Sequence, residues 1–347
     1  MKVDQEEILN YNQKEFLESL NNKYQIWKTN SNYKKRILKK DAPKKISKIE
    51  DVYEIPLVDM AEFKKYPEKL SIGKIDFNLY SSGSTSGTRS KGPRTKNNFK
   101  IQRKFFNNLS KEMNPNSINY FALISPSKKE FSKVPDPKVS NRSVFHYASW
   151  GFEEPYESEN FMNFSSGRPE INFKNLYKNL EERSGDKGLF GTQKYVISFL
   201  KYLKKNNLKT TLGENGIIAT GGGSSKELSG KEFRDMCNEY LGVEKKNHVD
   251  FYGCTESMLM LANKAGDENP DKKRIPSQGM VFVVDEKELR ESAVIKPLGL
   301  NKPGLAVFID ALNESHPGAI LTDDIVIKTG ERYGENARIQ HLGRSTM

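Results

Sequence analysis

An α/β fold is predicted, with mixed sheets covered by helices and a smaller β-rich subdomain. Two observations predict it. Strand-like apolar runs and amphipathic helical stretches alternate through residues 118–260, the pattern of a parallel or mixed sheet covered by helices. Beyond residue 260 the apolar runs crowd closer together, which suits antiparallel pairing.

The elements follow in order. Residues 1–47 are polar and helix-prone, with Ile8, Tyr11, Phe16, Leu17, Leu20, Tyr24 and Trp27 at roughly helical spacing. They read as amphipathic helices packing on a larger body. Residues 51–59 read as a short extended segment, because Pro56 biases Ile55 away from helix. Residues 77–80 read as a strand entering a glycine-rich loop, and 96–109 as a helix leaving it. Residues 118–124 form a buried strand, stopped by Ser125-Pro126. The charged stretch 127–139 carries Pro135 and Pro137 and reads as loop. The aromatic stretch 144–152 reads as core, with a pocket lining as the alternative. Residues 189–192 lead into a helix whose apolar face is Tyr195, Val196, Phe199, Leu200 and Leu203. A strand at 217–220 runs into Gly221-Gly222-Gly223-Ser224-Ser225. Ser229 and Glu232 have the spacing of a capping box. The helix they open buries Phe233, Met236, Cys237, Tyr240 and Leu241, which makes Cys237 inert packing. Residues 249–252 are a further strand, and 281–284, 305–309 and 325–327 are three more.

The chain has 347 residues, enough for one large domain or two ordinary ones. Its net charge is +11, but the cations are spread as pairs such as Lys34-Lys35, Lys128-Lys129 and Lys245-Lys246. That distribution reads as solvated faces and not as a nucleic-acid arm. Two cysteines, Cys237 and Cys254, make neither a disulfide framework nor a four-ligand metal site. No secretory leader opens the chain and no apolar run is long enough to span a bilayer. The expected setting is a soluble, reducing one, the cytoplasm.

Strand ends rich in Gly, Ser and Thr are where α/β sheets place ligands. Three occur here, at 80–92, 220–225 and 252–257. The first includes Ser82, Gly83, Ser84, Thr85, Ser86, Gly87 and Lys91, with no acidic residue. Such a loop can turn tightly and offer N–H groups, hydroxyls and cations to phosphate. It does not have the Walker spacing, and the same composition fits a flexible linker. Two further polar clusters are Thr322-Asp323-Asp324 and Gly343-Arg344. Tyr252 offers a flat face for a purine, Thr255 a hydroxyl for phosphate, and Glu256 a hard oxygen ligand for Mg2+. Asp324 can accept two ribose hydroxyls and Arg344 can donate to ribose or phosphate. Each also fits a plain role: Tyr252 as core, Glu256 as a surface acid, Asp324 as a cap or turn, Arg344 as an exposed tail.

Taken in order, these segments resemble the adenylate-forming superfamily, whose members activate a carboxylic acid with ATP. The resemblance runs over about residues 75–347. Tyr80 to Gly92 matches its phosphate loop, Gly221-Gly222-Gly223 its glycine-rich segment, and Tyr252-Gly253-Cys254-Thr255-Glu256 its aromatic-Gly-x-Thr-Glu motif. Thr322-Asp323-Asp324 matches its Thr-x-Asp motif, and Gly343-Arg344 its hinge. Ser81-Ser82-Gly83, Arg89-Ser90-Lys91, the triple glycine with Lys226, and 320–325 look most like the acyl-protein synthetases of bacterial luciferase fatty-acid reductase systems. The phenylacetate-CoA ligases are the nearest alternative.

The resemblance implies the N-terminal-domain type of that superfamily, without the usual C-terminal lid domain. A helical segment, 1–75, would pack on a catalytic core, 76–347, that ends at the hinge. It implies ATP and Mg2+ as cofactors, with the 82–87 loop and Lys91 on the β- and γ-phosphates. Thr255 and Glu256, with Mg2+, would serve the α-phosphate. Gly222 and Gly223 would lie by adenine, with Tyr252 offering its face to the purine, and Gly253 would belong to the cofactor site. Asp324 and Arg344 would fix the ribose. Lys226 can neutralise a carboxylate or phosphate, or simply be solvated. The acid is expected to be a fatty acid, and Phe145, His146, Tyr147, Trp150 and Phe152 are candidates to line its pocket. The acyl group would pass to a thiol on this protein, an acyl-reductase, a carrier protein or coenzyme A. The family's tail cysteine has no match after Cys254. A noncatalytic nucleotide-binding partner of a reductase or biosynthetic complex, and a basic nucleic-acid module, are the competing classes. The second has no recognisable motif here.

Overall fold

The computed structural model describes residues 5–81, 90–114, 118–127, 129, 149, 151–165, 168–222, 227–330 and 336–345, of which 5–12, 165 and 168 are described for backbone alone. The chain divides into two compact units. The first comprises Met1–Gln102, Gly253–Leu261 and Lys272–Met347, and the second Arg103–Tyr252 and Ala262–Asp271.

The first unit opens with the helices Gln5–Trp27 and Ser31–Lys40. Phe16, Leu17, Leu20, Tyr24 and Trp27 are buried, as the helical spacing predicts. Trp27 packs edge-on between Tyr24 and Tyr33 and donates its indole N–H to the Asn313 carbonyl at 2.8 Å. Residues 51–59 depart from the extended segment expected. Ile49–Tyr53 is a short helix, because Asp51 Oδ2 accepts from the N–H groups of Ser47 and Lys48 at 2.7 and 3.0 Å and so caps its first turn. Only β1 (Val58–Asp59) is extended, lying parallel to residues 320–321. The helix Met60–Lys65 follows, and then β2 (Phe77–Tyr80) and β3 (Lys91–Arg94) pair as an antiparallel hairpin. The helix Lys96–Met113 comes next.

The second unit carries β4 (Tyr120–Pro126), β5 (Glu157–Ser165), β6 (Arg168–Ile171), β7 (Gly188–Thr192), β8 (Ile217–Gly221) and β9 (His248–Tyr252). Their order is β9-β8-β7-β4-β5-β6, parallel except for the last pair. The helices Phe173–Glu182, Gln193–Lys205 and Gly230–Leu241 bury their apolar faces in one cluster with the strands, Cys237 included. The capping box is present: Ser229 Oγ accepts from Glu232 N at 3.2 Å and Glu232 Oε2 from Ser229 N at 2.7 Å. Ser125-Pro126 does not stop β4. The strand runs through both by shifting register, so that Pro126 sits opposite Met162. Phe152 is core, 4.8 Å from the Phe121 ring and 4.6 Å from Phe190. Phe145, His146, Tyr147 and Trp150 lie outside the described residues.

After β10 (Leu261–Ala262) the chain returns to the first unit as β11 (Lys272–Arg274), β12 (Gly279–Val284), β13 (Pro303–Asp310), β14 (Ala319–Gly330) and β15 (Ala337–Arg344). These pair antiparallel in the order β12-β13-β14-β15-β11, the β-rich part the closely spaced runs predict.

Gly188 in β7 lies directly opposite Phe121 in β4, and a Cβ there would sit 2.1 Å from the Phe121 ring. Gly188→Ala is expected to destabilise the protein by roughly 1–3 kcal/mol through overpacking. A urea titration showing no loss would contradict the packing described.

Candidate active site

The hairpin β2–β3 brings the two ends of the glycine-rich loop together. Ser81 N donates to Ser90 O at 3.1 Å, and Ser90 N donates to Ser81 Oγ at 2.9 Å. Of the loop, residues 82–89 lie outside the described residues, and so do Gly223 and Lys226. Lys91 is exposed at the base of the hairpin, whereas Ser90, Gly92 and Arg94 are buried. Gly92 presses on the backbone of the Thr255-Glu256 turn: a Cβ at that position would lie 2.3 Å from the Thr255 carbonyl oxygen, so only glycine fits.

The turn is held from two sides. Arg94, 0% exposed, donates from Nη2 to the carbonyls of Thr255 at 2.9 Å and Ser257 at 3.1 Å. Opposite it, the Asp310 carboxylate at the end of β13 accepts from Ser257 Oγ at 3.0 Å, Met258 N at 2.6 Å and Leu312 N at 2.9 Å. Burial pushes the Asp310 carboxyl up, against those hydrogen bonds and the Arg94 charge.

Glu256 is 1% exposed. Hydrogen bonding from Ser90 and from its own backbone N–H, with the charges of Arg94 and Lys64, favours its ionised form. Burial outweighs these and raises its pKa. Its Oε1 has no hydrogen-bond partner among the described residues. A buried carboxylate oxygen left unpaired is costly and calls for an explanation. It suits a hard cation. No group of three or more His, Cys, Asp or Glu among the described residues can hold a metal alone, so phosphate and water would complete such a shell.

Asp324 and Arg344 are directly opposite on β14 and β15, with Arg344 Nε 3.3 Å from Asp324 Oδ1. His341 Nε2 lies 3.4 Å from the same oxygen. Thr322 Oγ1 donates to Ala306 O and accepts from Asp324 N at 3.2 Å, fixing the start of the motif. Cys254 is buried, and its thiol is pushed well up by burial and by the carboxylates of Glu256, Asp324 and Asp310. Lys91, Gly253, Thr255, Glu256, Asp324 and Arg344 all belong to the first unit. In the second, Gly222 and Tyr252 close adjacent parallel strands, where Gly221 pairs with Phe251. Gly222 has φ +77, a left-handed conformation that favours glycine. A cavity of about 430 Å3 in the second unit, lined by Asn163, Glu170, Asn172, Lys174 and Tyr202, holds none of the predicted site residues.

Sequence reasoning missed Arg94, Asp310 and His316. Asp310 carried a signal, as a carboxylate ending the apolar run 305–309. Arg94 and His316 carried none, because their partners are distant in sequence. His316 is fully buried, and Arg94 Nη1 lies 3.2 Å from its Nε2. A guanidinium only donates, so Nε2 accepts and Nδ1–H donates to Pro317 O at 3.0 Å. Burial, then the Arg94 charge, drive its pKa down to about 3.

The family model for acyl-protein synthetase, LuxE, matches residues 1–346. A long-chain-fatty-acid–luciferin-component ligase of Aliivibrio fischeri is 25% identical over 200 residues, covering 56% of this chain and 50% of that protein. The chain spans about half the length of this curated relative. The fold is shared with solved adenylate-forming ligases. A 2-hydroxyisobutyryl-CoA ligase in complex with 2-HIB-AMP and CoA has a TM-score of 0.69 at 13% identity, over 96% of this chain and 74% of that one. A long-chain-fatty-acid-CoA ligase from Archaeoglobus fulgidus has a TM-score of 0.53 at 12% identity, over 78% and 51%.

His316 titrates near 6.5 when unfolded and near 3 when folded. A depressed pKa gives stability that is full above the unfolded value and is lost as pH falls below it. Between pH 7.5 and pH 5, His316 is expected to cost about 2 kcal/mol of stability. The same pH change should cost His316→Asn about 2 kcal/mol less than wild type in urea unfolding. Equal losses would show that His316 is not held neutral.

Proposed function

Because the chain belongs to the LuxE acyl-protein synthetase family, we propose that it activates a carboxylic acid with ATP and passes the acyl group to a thiol. The observation that carries this reading is Glu256: a carboxylate out of water on a clamped turn, with one oxygen unpartnered among the described residues. The name of the Aliivibrio fischeri relative favours a fatty acid as substrate.

In the first half-reaction the acid's carboxylate attacks the α-phosphorus of ATP. An acyl–oxygen–phosphorus link forms as the bond to pyrophosphate breaks. A carboxylate is already a nucleophile at neutral pH, so no general base is required. The difficulty is bringing two anions together, and fixed positive charge and donors answer it. Glu256 is the residue to hold Mg2+, which supplies charge neutralisation on the phosphates. Thr255 offers its hydroxyl to the α-phosphate, and Lys91 adds charge at the base of the loop 82–87. Asp324, steadied by Arg344 and His341, accepts ribose hydroxyls. Gly222, Gly223 and Tyr252 are assigned to adenine, and Lys226 to the substrate carboxylate or a phosphate, on the motifs alone.

In the second half-reaction a thiolate attacks the acyl carbon and AMP leaves. Neither Cys237 nor Cys254 suits this step. Both are buried, and both thiols are raised, chiefly by burial. The acceptor is then a thiol other than these two, with a thiol of an acyl-reductase, a carrier protein or coenzyme A among the candidates. Among the described residues no helix is long and apolar enough to cross a membrane.

Pyrophosphate exchange into ATP is expected to depend on an added carboxylic acid, in a screen graded by chain length. Glu256→Gln should lower it on the order of 100-fold with a melting temperature no lower than that of the wild type. No exchange with any acid, alongside measurable ATP binding, would favour a noncatalytic nucleotide-binding protein. Cys254→Ala should retain exchange within about threefold, since the residue only packs. Mass spectrometry finding an acyl adduct on Cys254 would overturn the assignment of the acceptor.

A further inference from the structure

We propose that Arg94 is a positioning residue for acid activation, locking the Thr255-Glu256 turn to the hairpin that carries the glycine-rich loop. The proposal rests on the acid-activating reading above. Its ground is geometric. Arg94 ends β3, the strand that leaves the loop. Its side chain is fully buried in the first unit and every nitrogen faces a partner. Nη2 spans the carbonyls of Thr255 and Ser257 at 2.9 and 3.1 Å. Nη1 donates to Pro93 O at 3.0 Å and lies 3.2 Å from His316 Nε2, while Nε is 3.3 Å from Gln102 Oε1.

These bonds fix the carbonyls on either side of Glu256. The peptide plane that enters Glu256, and the one a residue beyond it at Ser257, are held by one rigid group, which restrains the direction in which the carboxylate leaves the backbone. The same guanidinium belongs to the strand that begins at Lys91, directly after Ser90 at the end of the loop. Ser90 meets the Glu256 carboxylate, and Gly92 touches the Thr255 carbonyl. The segment leaving the loop thus meets the turn at every second residue, Ser90, Gly92 and Arg94, with Arg94 supplying the two hydrogen bonds to its backbone. A planar fork with fixed donor directions does this. An ammonium in its place is a point charge and cannot hold the same pair of carbonyls in the same geometry.

The test is Arg94→Lys in the full chain, with three measurements. Amide hydrogen exchange over 253–261 should quicken by about tenfold, with the second unit unchanged. The kcat of acid-dependent pyrophosphate exchange should fall about 100-fold, the loss typical of an ångström-scale misplacement. The KM for ATP should move less than about threefold, since in this reading the variant loses alignment and keeps binding. Unaltered amide exchange in 253–261, or a fall in kcat no larger than the fall in folded fraction, overturns the proposal. If Arg94→Lys does not fold, Gln102→Leu removes only the Nε acceptor. It should lower kcat by about tenfold with the same local amide signature, and wild-type behaviour there also overturns the proposal. A wild-type protein silent for exchange sinks the acid-activating reading and the catalytic half of this inference with it. The amide measurement then still decides whether Arg94 fixes the turn.

Discussion

A guanidinium with no access to water is the fixed point of the first unit. A buried charge is tolerated only when its hydrogen bonds are met and opposite charge stands near. Arg94 meets the first condition through backbone carbonyls and the second through Glu256 and Asp310, whose carboxyls both feel its charge. Its carbonyl partners are backbone atoms of the Thr255–Ser257 turn. The arrangement cannot relax by rotating a side chain away, so the cost of burying the charge is turned into backbone precision.

The loop 310–316 extends that precision to the rest of the unit. Asp310 clamps the turn from the side opposite Arg94. Asn313 receives the Trp27 indole on its carbonyl and meets the His316 ring with its amide. Ser315 donates to Asn98 Oδ1 at 2.6 Å, and Phe63 packs edge-on against His316. The first helix, through Trp27, and the helix after the hairpin, through Asn98, therefore both place polar contacts on one short segment behind the turn. This gives the helical segment a role that its own composition does not disclose: it covers and dries the polar network that orients the motif.

Much of this was legible in the sequence because it is periodic or local. Strand runs such as 281–284 and 305–309, the helical face from Val196 to Leu203, and the Ser229–Glu232 box depend on neighbours a few residues away. The family was legible for a different reason, the order of its motifs along the chain. What could not be read was long-range satisfaction of buried polar groups. Arg94 looks like one more cation among many in a basic chain, and nothing near it announces the carbonyls of Thr255 and Ser257. The helix at Ile49–Tyr53 was hidden by the same kind of blindness at shorter range: one carboxylate, Asp51, capped a turn that Pro56 had seemed to forbid. Pro126 inside β4 was hidden by a register shift, a property of the pair and not of the strand.

The oxygen of Glu256 that has no partner among the described residues is the point at which stability and function part. A fold built only for stability would place an amide or an apolar group at such a site, since a buried carboxylate with a spare lone pair is a net loss. This fold does the reverse. It surrounds Glu256 with one hydroxyl and its own N–H, keeps a guanidinium near but bonded to backbone, and leaves Oε1 without a protein donor among the described residues. Had Arg94 paired directly with Glu256, the carboxylate would be satisfied and inert. By holding the carbonyls of Thr255 and Ser257 instead, the guanidinium stabilises the position of the carboxylate without consuming it, and among the described residues no donor takes up Oε1.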